Sequence, residues 1–138
     1  MDWRSLETFS FGDNPALADE LAALVLAGKK TATCWAASDG LLTEVGKRMV
    51  VLSGSGRPLA VVETVELEQR RFHEVGAAFA HDEGEGDRSL AHWRDAHRAY
   101  FTRLGQFAED MPLFCERFRV VERIAGAEEA RRRDADEG

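Results

Sequence analysis

The chain is short of the residues that mark special classes of protein. It has two cysteines, Cys34 and Cys115, far apart and in no paired spacing, which argues against both a disulfide framework and a zinc site. Both are expected as reduced, partly buried thiols. No apolar run approaches the roughly 18 residues that a membrane span needs, so no membrane partner is expected. No basic stretch precedes an apolar one near the N-terminus, so a secretory leader is not expected and a cytoplasmic location is. Positive charge is in deficit, with 18 Lys and Arg against 25 Asp and Glu and a formal net charge of −7. That balance opposes long-range attraction to a nucleic-acid duplex, because binding by counterion release favours basic proteins.

What is present fits one ordinary domain. The 138 residues, 44% hydrophobic and 31% charged, are enough for a single core that buries about two thirds of the unfolded surface. The basic pairs Lys29-Lys30, Lys47-Arg48 and Arg70-Arg71 are candidates for a local basic cleft that would hold a small anion. Asn14 is placed to cap a helix with Pro15 at its first position, and Gly28 to stop it. Leu17, Leu21, Leu24 and Val25 give that helix an apolar face. The segment "TATCWAA" then suits a strand, and Val45-Gly46 turns the chain into "RMVVLSG". "GSGR" reads as the hairpin connection to "PLAVVETVELEQRRF". Asp87 is placed to cap a further helix along Leu90, Trp93, His97, Tyr100 and Leu104, with Gly105 at its end. A last strand, "LFCERFRVVERI", alternates Phe118 with Val120 and Ile124. Strands outnumber the helices that parallel crossovers require, so the expected class is α+β with a curved, partly closed sheet and flanking helices. Residues after Gly126 are nearly all charged or alanine and read as a frayed helix or a disordered tail.

Gly28-Lys29-Lys30-Thr31-Ala32-Thr33 matches the first six positions of G-x-K-x-x-T-x-R, and on this motif the sequence resembles the ASCH domain family. The preceding apolar helix, the Val45-Gly46 turn and the acidic segment before the later helix support the resemblance, which covers roughly residues 9–124. It implies a PUA-like β-barrel or mixed sheet, a single domain over residues 1–126 and a charged C-terminal tail over residues 127–138. It further implies RNA-related activity, with RNA or a modified nucleoside or nucleotide as partner and no cofactor or metal. In relatives that hydrolyse N(4)-acetylcytidine, a Lys, a Thr and a Glu form the catalytic set. Lys30 and Thr33 match by motif, Glu83 is the better match for the acid, and Glu85 is its rival. Trp35 stands where the family motif has Arg, a change that removes a planar pair of hydrogen bonds and offers a ring for base stacking. Lys29, Thr31, Trp35, Glu85 and Lys47 are the further substrate-binding candidates. A non-catalytic module that binds RNA or a nucleotide is the alternative.

The chemistry of those residue types supports such a cleft. A lysine that loses solvation at a helix-to-strand turn near other cations is expected to have a lowered pKa, which suits it as a base for the Thr33 hydroxyl. A carboxylate on the Gly-rich "DEGEGD" segment would orient that base or protonate a leaving amine. The same segment lacks the twelfth-position glutamate of a calcium loop, where Trp93 stands. His92 and His97, five residues apart, do not share a helix face and read as surface and core-edge residues. Trp93 and Tyr100 read as core, and Cys34 as a structural thiol.

Overall fold

The computed structural model describes residues 3–124. Eight regular elements follow in order: β1 Thr8–Phe9, α1 Pro15–Leu26, β2 Ala32–Ala36, β3 Arg48–Leu52, β4 Pro58–Arg71, α2 Ala77–Glu83, α3 Leu90–Arg103 and β5 Pro112–Arg123. The strands form one mixed sheet in the order β1-β3-β4-β5-β2. Only the β1–β3 pair is parallel; the others are antiparallel. This is the α+β architecture that the strand-rich sequence implies.

The first helix forms as its sequence requires. The Asn14 side chain accepts a hydrogen bond from the Leu17 N–H at 2.9 Å, and Pro15 opens the helix where its missing donor is not needed. Gly28 supplies the left-handed residue after it, at φ +77°. Leu21, Ala22, Val25 and Leu26 are buried in one core with Phe11, Val51, Leu59, Val62 and Phe118. The "GSGR" segment does join β3 to β4. A second core, under α2 and α3, gathers Ala32, Phe72, Phe79, Trp93, Phe101 and Leu113. Strand β2 thus has a helical layer beside it and α1 immediately before it, and the cleft opens between them.

Three local expectations are corrected. Ser89, not Asp87, caps α3: its hydroxyl accepts from the His92 N–H at 3.1 Å, while Asp87 instead accepts from the Ser89 N–H at 2.9 Å in the turn before the helix. The helix ends at Arg103, leaving Leu104 exposed instead of on the buried stripe. On β5, Phe118 and Ile124 are buried but Val120 only in part, because register shifts against β4 interrupt the alternation. The charged tail from residue 127 lies outside the described residues.

Candidate functional site

Lys30 is fully enclosed in the cleft, 1% exposed, and every proton on its ammonium has a place to go. The backbone brings it inward directly after α1, where the Lys29 and Lys30 N–H groups both donate to the Leu24 carbonyl at 3.0 and 3.1 Å. Its Nζ donates to the Ala32 carbonyl at 2.8 Å, to Glu83 Oε1 at 3.3 Å and to Glu85 Oε2 at 3.2 Å. The Glu83 carbonyl accepts a further contact at 3.3 Å. The two acids expected as rivals therefore both hold the same lysine. Glu83 is as buried as Lys30, while the Glu85 side chain keeps about a quarter of its surface exposed.

Glu83 reaches this position because α2, an element that the spacing of apolar residues does not predict, ends on it. Gly84 follows in the left-handed region at φ +76°, and the chain there touches the segment after α1. Thr31 N–H donates to the Asp82 carbonyl at 2.7 Å. A β-carbon on Gly84 would stand 2.3 Å from the Lys29 carbonyl oxygen, closer than any side chain can approach. Gly84→Ala should therefore cost roughly 1–3 kcal/mol from overpacking, added to the strain of a left-handed alanine. We expect thermal melts to show a Tm lower by at least about 3–10 °C. Loss of whatever ligand affinity the cleft has should accompany it, because Glu83 can no longer sit against Lys30.

A second cation lies on the other side of Glu83. His97 Nδ1 is 2.8 Å from the Trp93 carbonyl, which can only accept, so Nδ1 carries a proton. Its Nε2 is 3.4 Å from Glu83 Oε2, and the ring stacks on the Trp93 indole with centroids 4.3 Å apart. The Trp93 Nε1–H also donates to Glu83 Oε2, and the Cys34 thiol does so at 3.6 Å. Burial pushes the Glu83 carboxyl upward, but His97 and Lys30 outweigh it and hold it at about 2. Burial alone would lower His97 and Lys30, yet the facing carboxylates raise both. This reverses the lowered Lys30 pKa expected from the sequence. Its neighbours proved to be two carboxylates rather than other cations.

A pH dependence of stability follows from these directions. Glu83 is depressed from 4.5, so its contribution is fully present above pH 4.5 and is lost as pH falls toward about 2. A carboxyl held that low contributes on the order of 3 kcal/mol at neutral pH. His97 is raised from 6.5, so its share is fully present below pH 6.5 and is lost as pH rises through the folded value. Stability from this cluster should therefore peak between about pH 4.5 and 6.5. Urea unfolding midpoints measured from pH 2 to 9 should show that maximum, and a profile that climbs without a turn up to pH 9 would contradict it.

The cluster opens into a cavity of about 300 Å³ lined by Lys30, Thr33, Cys34, Glu83, Glu85 and His97, with Phe11, Tyr100 and Arg103 among its other walls. Thr33 stands on β2 with its side chain half-buried. Lys30, Thr33, Glu83 and Glu85 are thus all brought together. The other candidates fall elsewhere. Trp35 lines an adjoining cavity, with its Nε1–H tied to the Gly40 carbonyl at 2.8 Å and its ring tilted against Phe114. Lys29 is exposed, and the exposed Thr31 directs its hydroxyl to the Asp82 carbonyl. Lys47 pairs with Glu7 at 3.3 Å and lies outside both cavities.

The expected basic cleft does not form either. Arg48 pairs with Glu63 across the β3–β4 ladder, Arg70 with Glu68 two residues earlier on β4, and Arg71 donates to the Asp110 carbonyl just before β5, so each has its own local partner. His97 and Tyr100 are the residues that sequence reading assigned to core or core edge and that the fold turns toward the cleft. A histidine in an otherwise apolar helical stripe was the available signal.

Cys34, Glu83 and His97 present ligand atoms within 4.8 Å of one another, a donor set known from zinc sites. The surroundings favour protons there over a metal. Burial and the Glu83 charge lift the Cys34 thiol well above its ordinary value, His97 is stabilised as a cation, and the Lys30 ammonium already neutralises the carboxylate. A divalent ion would have to expel two protons beside an existing positive charge.

The mixed five-stranded sheet with flanking helices is the fold of ASCH domain structures. The ASCH domain family matches residues 7–122, and the chain belongs to that family. Its fold is similar to the crystal structure of an ASCH domain from Lactobacillus crispatus JV V101, at 37% identity and a TM-score of 0.79, covering 87% of this chain and 82% of that one. It is likewise similar to a protein of Enterococcus faecalis V583, at 31% identity and a TM-score of 0.78, covering 89% and 80% of the two chains. No curated protein matches the sequence. The PUA-like fold of this family is often an RNA-binding one.

Proposed function

We propose that the cleft hydrolyses an acylated amine on RNA or on a modified nucleoside, the reaction type of N(4)-acetylcytidine amidohydrolysis. The observation that carries this reading is the convergence of Lys30, Glu83, Glu85 and Thr33 on one cavity. In the free cleft Lys30 is an ammonium held by two carboxylates. Glu85 is the exposed one, on the loop between Gly84 and Gly86, and is the group an entering ligand meets first. A ligand that draws Glu85 away removes one of the two carboxylates that raise Lys30, and burial then pulls its pKa back in the direction of a base. Lys30 takes the proton of the Thr33 hydroxyl, or of a water that Thr33 positions, as the oxygen attacks the carbonyl carbon. The C–N bond breaks, and the same proton passes from Lys30 by way of Glu83 to the leaving amine. Where Thr33 itself attacks, water then hydrolyses the acyl-threonine ester.

A second reading, a module that binds RNA or a nucleotide without chemistry, is favoured by one observation: the unliganded cleft stores Lys30 protonated and Glu83 ionised, the reverse of a base and an acid. Mass spectrometry of N(4)-acetylcytidine and acetylated RNA incubated with the protein separates the two. Enzyme activity predicts appearance of cytidine, abolished by Thr33→Val if the hydroxyl is the nucleophile and reduced if it positions water. Unchanged substrate across a panel of acylated nucleosides, with saturable binding, would leave the module.

A further inference from the structure

The cavity that holds Lys30 continues past Thr33. A second cavity, of about 270 Å³, shares Phe11, Gly12, Thr33, Cys34 and Tyr100 with the first. Both lie near the lower end of the size range of small-molecule sites, and together they form one bent cleft with different chemistry at its two ends. The far end carries a polar group that no step above uses. Glu116 stands directly opposite Thr33 in the β2–β5 pairing, so the two side chains leave the same face of the sheet.

The Glu116 carboxylate is fixed from behind. The Thr64 hydroxyl donates to Glu116 Oε2 at 2.6 Å, and the Thr43 and Thr64 hydroxyls are 2.8 Å apart. Since Thr64 spends its proton on the carboxylate, Thr43 is the donor to Thr64, and the chain of protons runs one way. Both threonines are buried. The second oxygen, Oε1, has no hydrogen-bond partner among the described residues. Burial lifts the Glu116 carboxyl above its ordinary value, and the Thr64 hydrogen bond and the Lys30 charge pull it back only in part. A further donor would stabilise the ionised form. Most of the neighbouring walls are apolar or aromatic, from Phe9, Phe11, Met49, Val62 and Tyr100, with Ser10 and Asp39 as further polar lining.

An acceptor oxygen held rigidly at the end of an apolar slot selects for a donor on a flat, mostly uncharged ligand, as carboxylates do for ribose hydroxyls in dinucleotide folds. We propose that Glu116, oriented by the Thr43–Thr64 hydroxyl chain, is a second binding subsite that accepts a hydrogen bond from an O–H or N–H group of the ligand whose reacting amide lies against Lys30 and Thr33. This rests on the nucleoside reading above. The donor is the ribose 2′-hydroxyl or a ring N–H. Glu116→Gln tests it sharply: the amide oxygen can still accept from Thr64, while the amide NH₂ then faces the cleft as a donor and opposes the ligand's own donor.

The test is calorimetric titration of the full chain with cytidine, 2′-deoxycytidine, uridine and 3-methyluridine, for wild type and Glu116→Gln. In wild type, removing the recognised donor should weaken binding roughly 10- to 100-fold, the usual worth of a hydrogen bond to a charged group. A loss confined to 2′-deoxycytidine assigns the ribose, and one confined to 3-methyluridine assigns the ring N–H. In Glu116→Gln the parent nucleoside should weaken by a similar factor, and deleting the donor should then make no further difference. Equal binding of all four probes by both proteins would overturn the subsite while leaving the amidohydrolase reading intact. Absence of any nucleoside binding to wild type would overturn the subsite, and the turnover assay on acetylated substrates decides the amidohydrolase reading separately. If the variant fails to fold, the wild-type comparison still decides, because four equal affinities contradict the subsite by themselves.

Discussion

Glu83→Gln should be the most damaging conservative substitution in this protein. The carboxylate is 1% exposed and is the shared acceptor for Lys30, His97, Trp93 and Cys34. Glutamine keeps the shape but removes the charge that two buried cations require, and its NH₂ must face a donor on one side. Breaking a buried ion pair from one partner costs about 3–5 kcal/mol, which for a chain of this size lowers Tm by roughly 10–17 °C. The acid limb of the stability profile should shrink with it, since the carboxylate held at about 2 is gone while Glu63, Glu68 and Asp87, also held below their ordinary values, remain. His97 should lose its raised pKa, readable from its imidazole proton shifts in NMR. A variant as stable as wild type, with His97 unchanged, would show that Glu83 is not the anion of this cluster.

Lys30→Met should separate catalysis from stability more cleanly. Methionine nearly fills the volume and removes the ammonium, so the proton carrier of the proposed hydrolysis is gone and turnover should fall by about 10²–10⁴-fold. The stability loss should be smaller than for Glu83→Gln, because Glu83 keeps His97 and Trp93 as partners. The double variant should be less destabilised than the two single losses added together, by about 0.5–3 kcal/mol, as expected for residues in one network. Strict additivity in chemical denaturation would mean that the 3.3 Å contact between Lys30 and Glu83 carries no coupling.

Much of the cleft was readable before the fold. Lys30 and Thr33 sit where they do because Asn14, Pro15 and Gly28 fix the two ends of α1, and those signals act over one or two turns of chain. Glu83 was readable only by resemblance, and its helix was not readable at all, since the seven residues of α2 are too few to show a periodicity. Ser89 displaced Asp87 as the α3 cap because two good capping residues lie two positions apart and only the path of the chain chooses between them. His97 looked like a core-edge residue because helical spacing places it on the stripe of Trp93 and Tyr100, and spacing carries no information about what faces that stripe.

By itself the sequence determined the order of the elements, the strand-rich α+β class, the turn that presents Lys30 and Thr33, and the family. Each follows from interactions among residues close in the chain, or from a motif of contiguous residues. Tertiary structure alone decided the charge state of Lys30, whose two carboxylates lie 53 and 55 residues away in sequence. It also turned His97 into the second cation of the site, dispersed the basic pairs among separate partners, and set Glu116 beside Thr33. Those outcomes depend on which distant groups meet in a place that excludes water, where removing or adding one charge shifts a proton equilibrium far more than any local pattern of residues can.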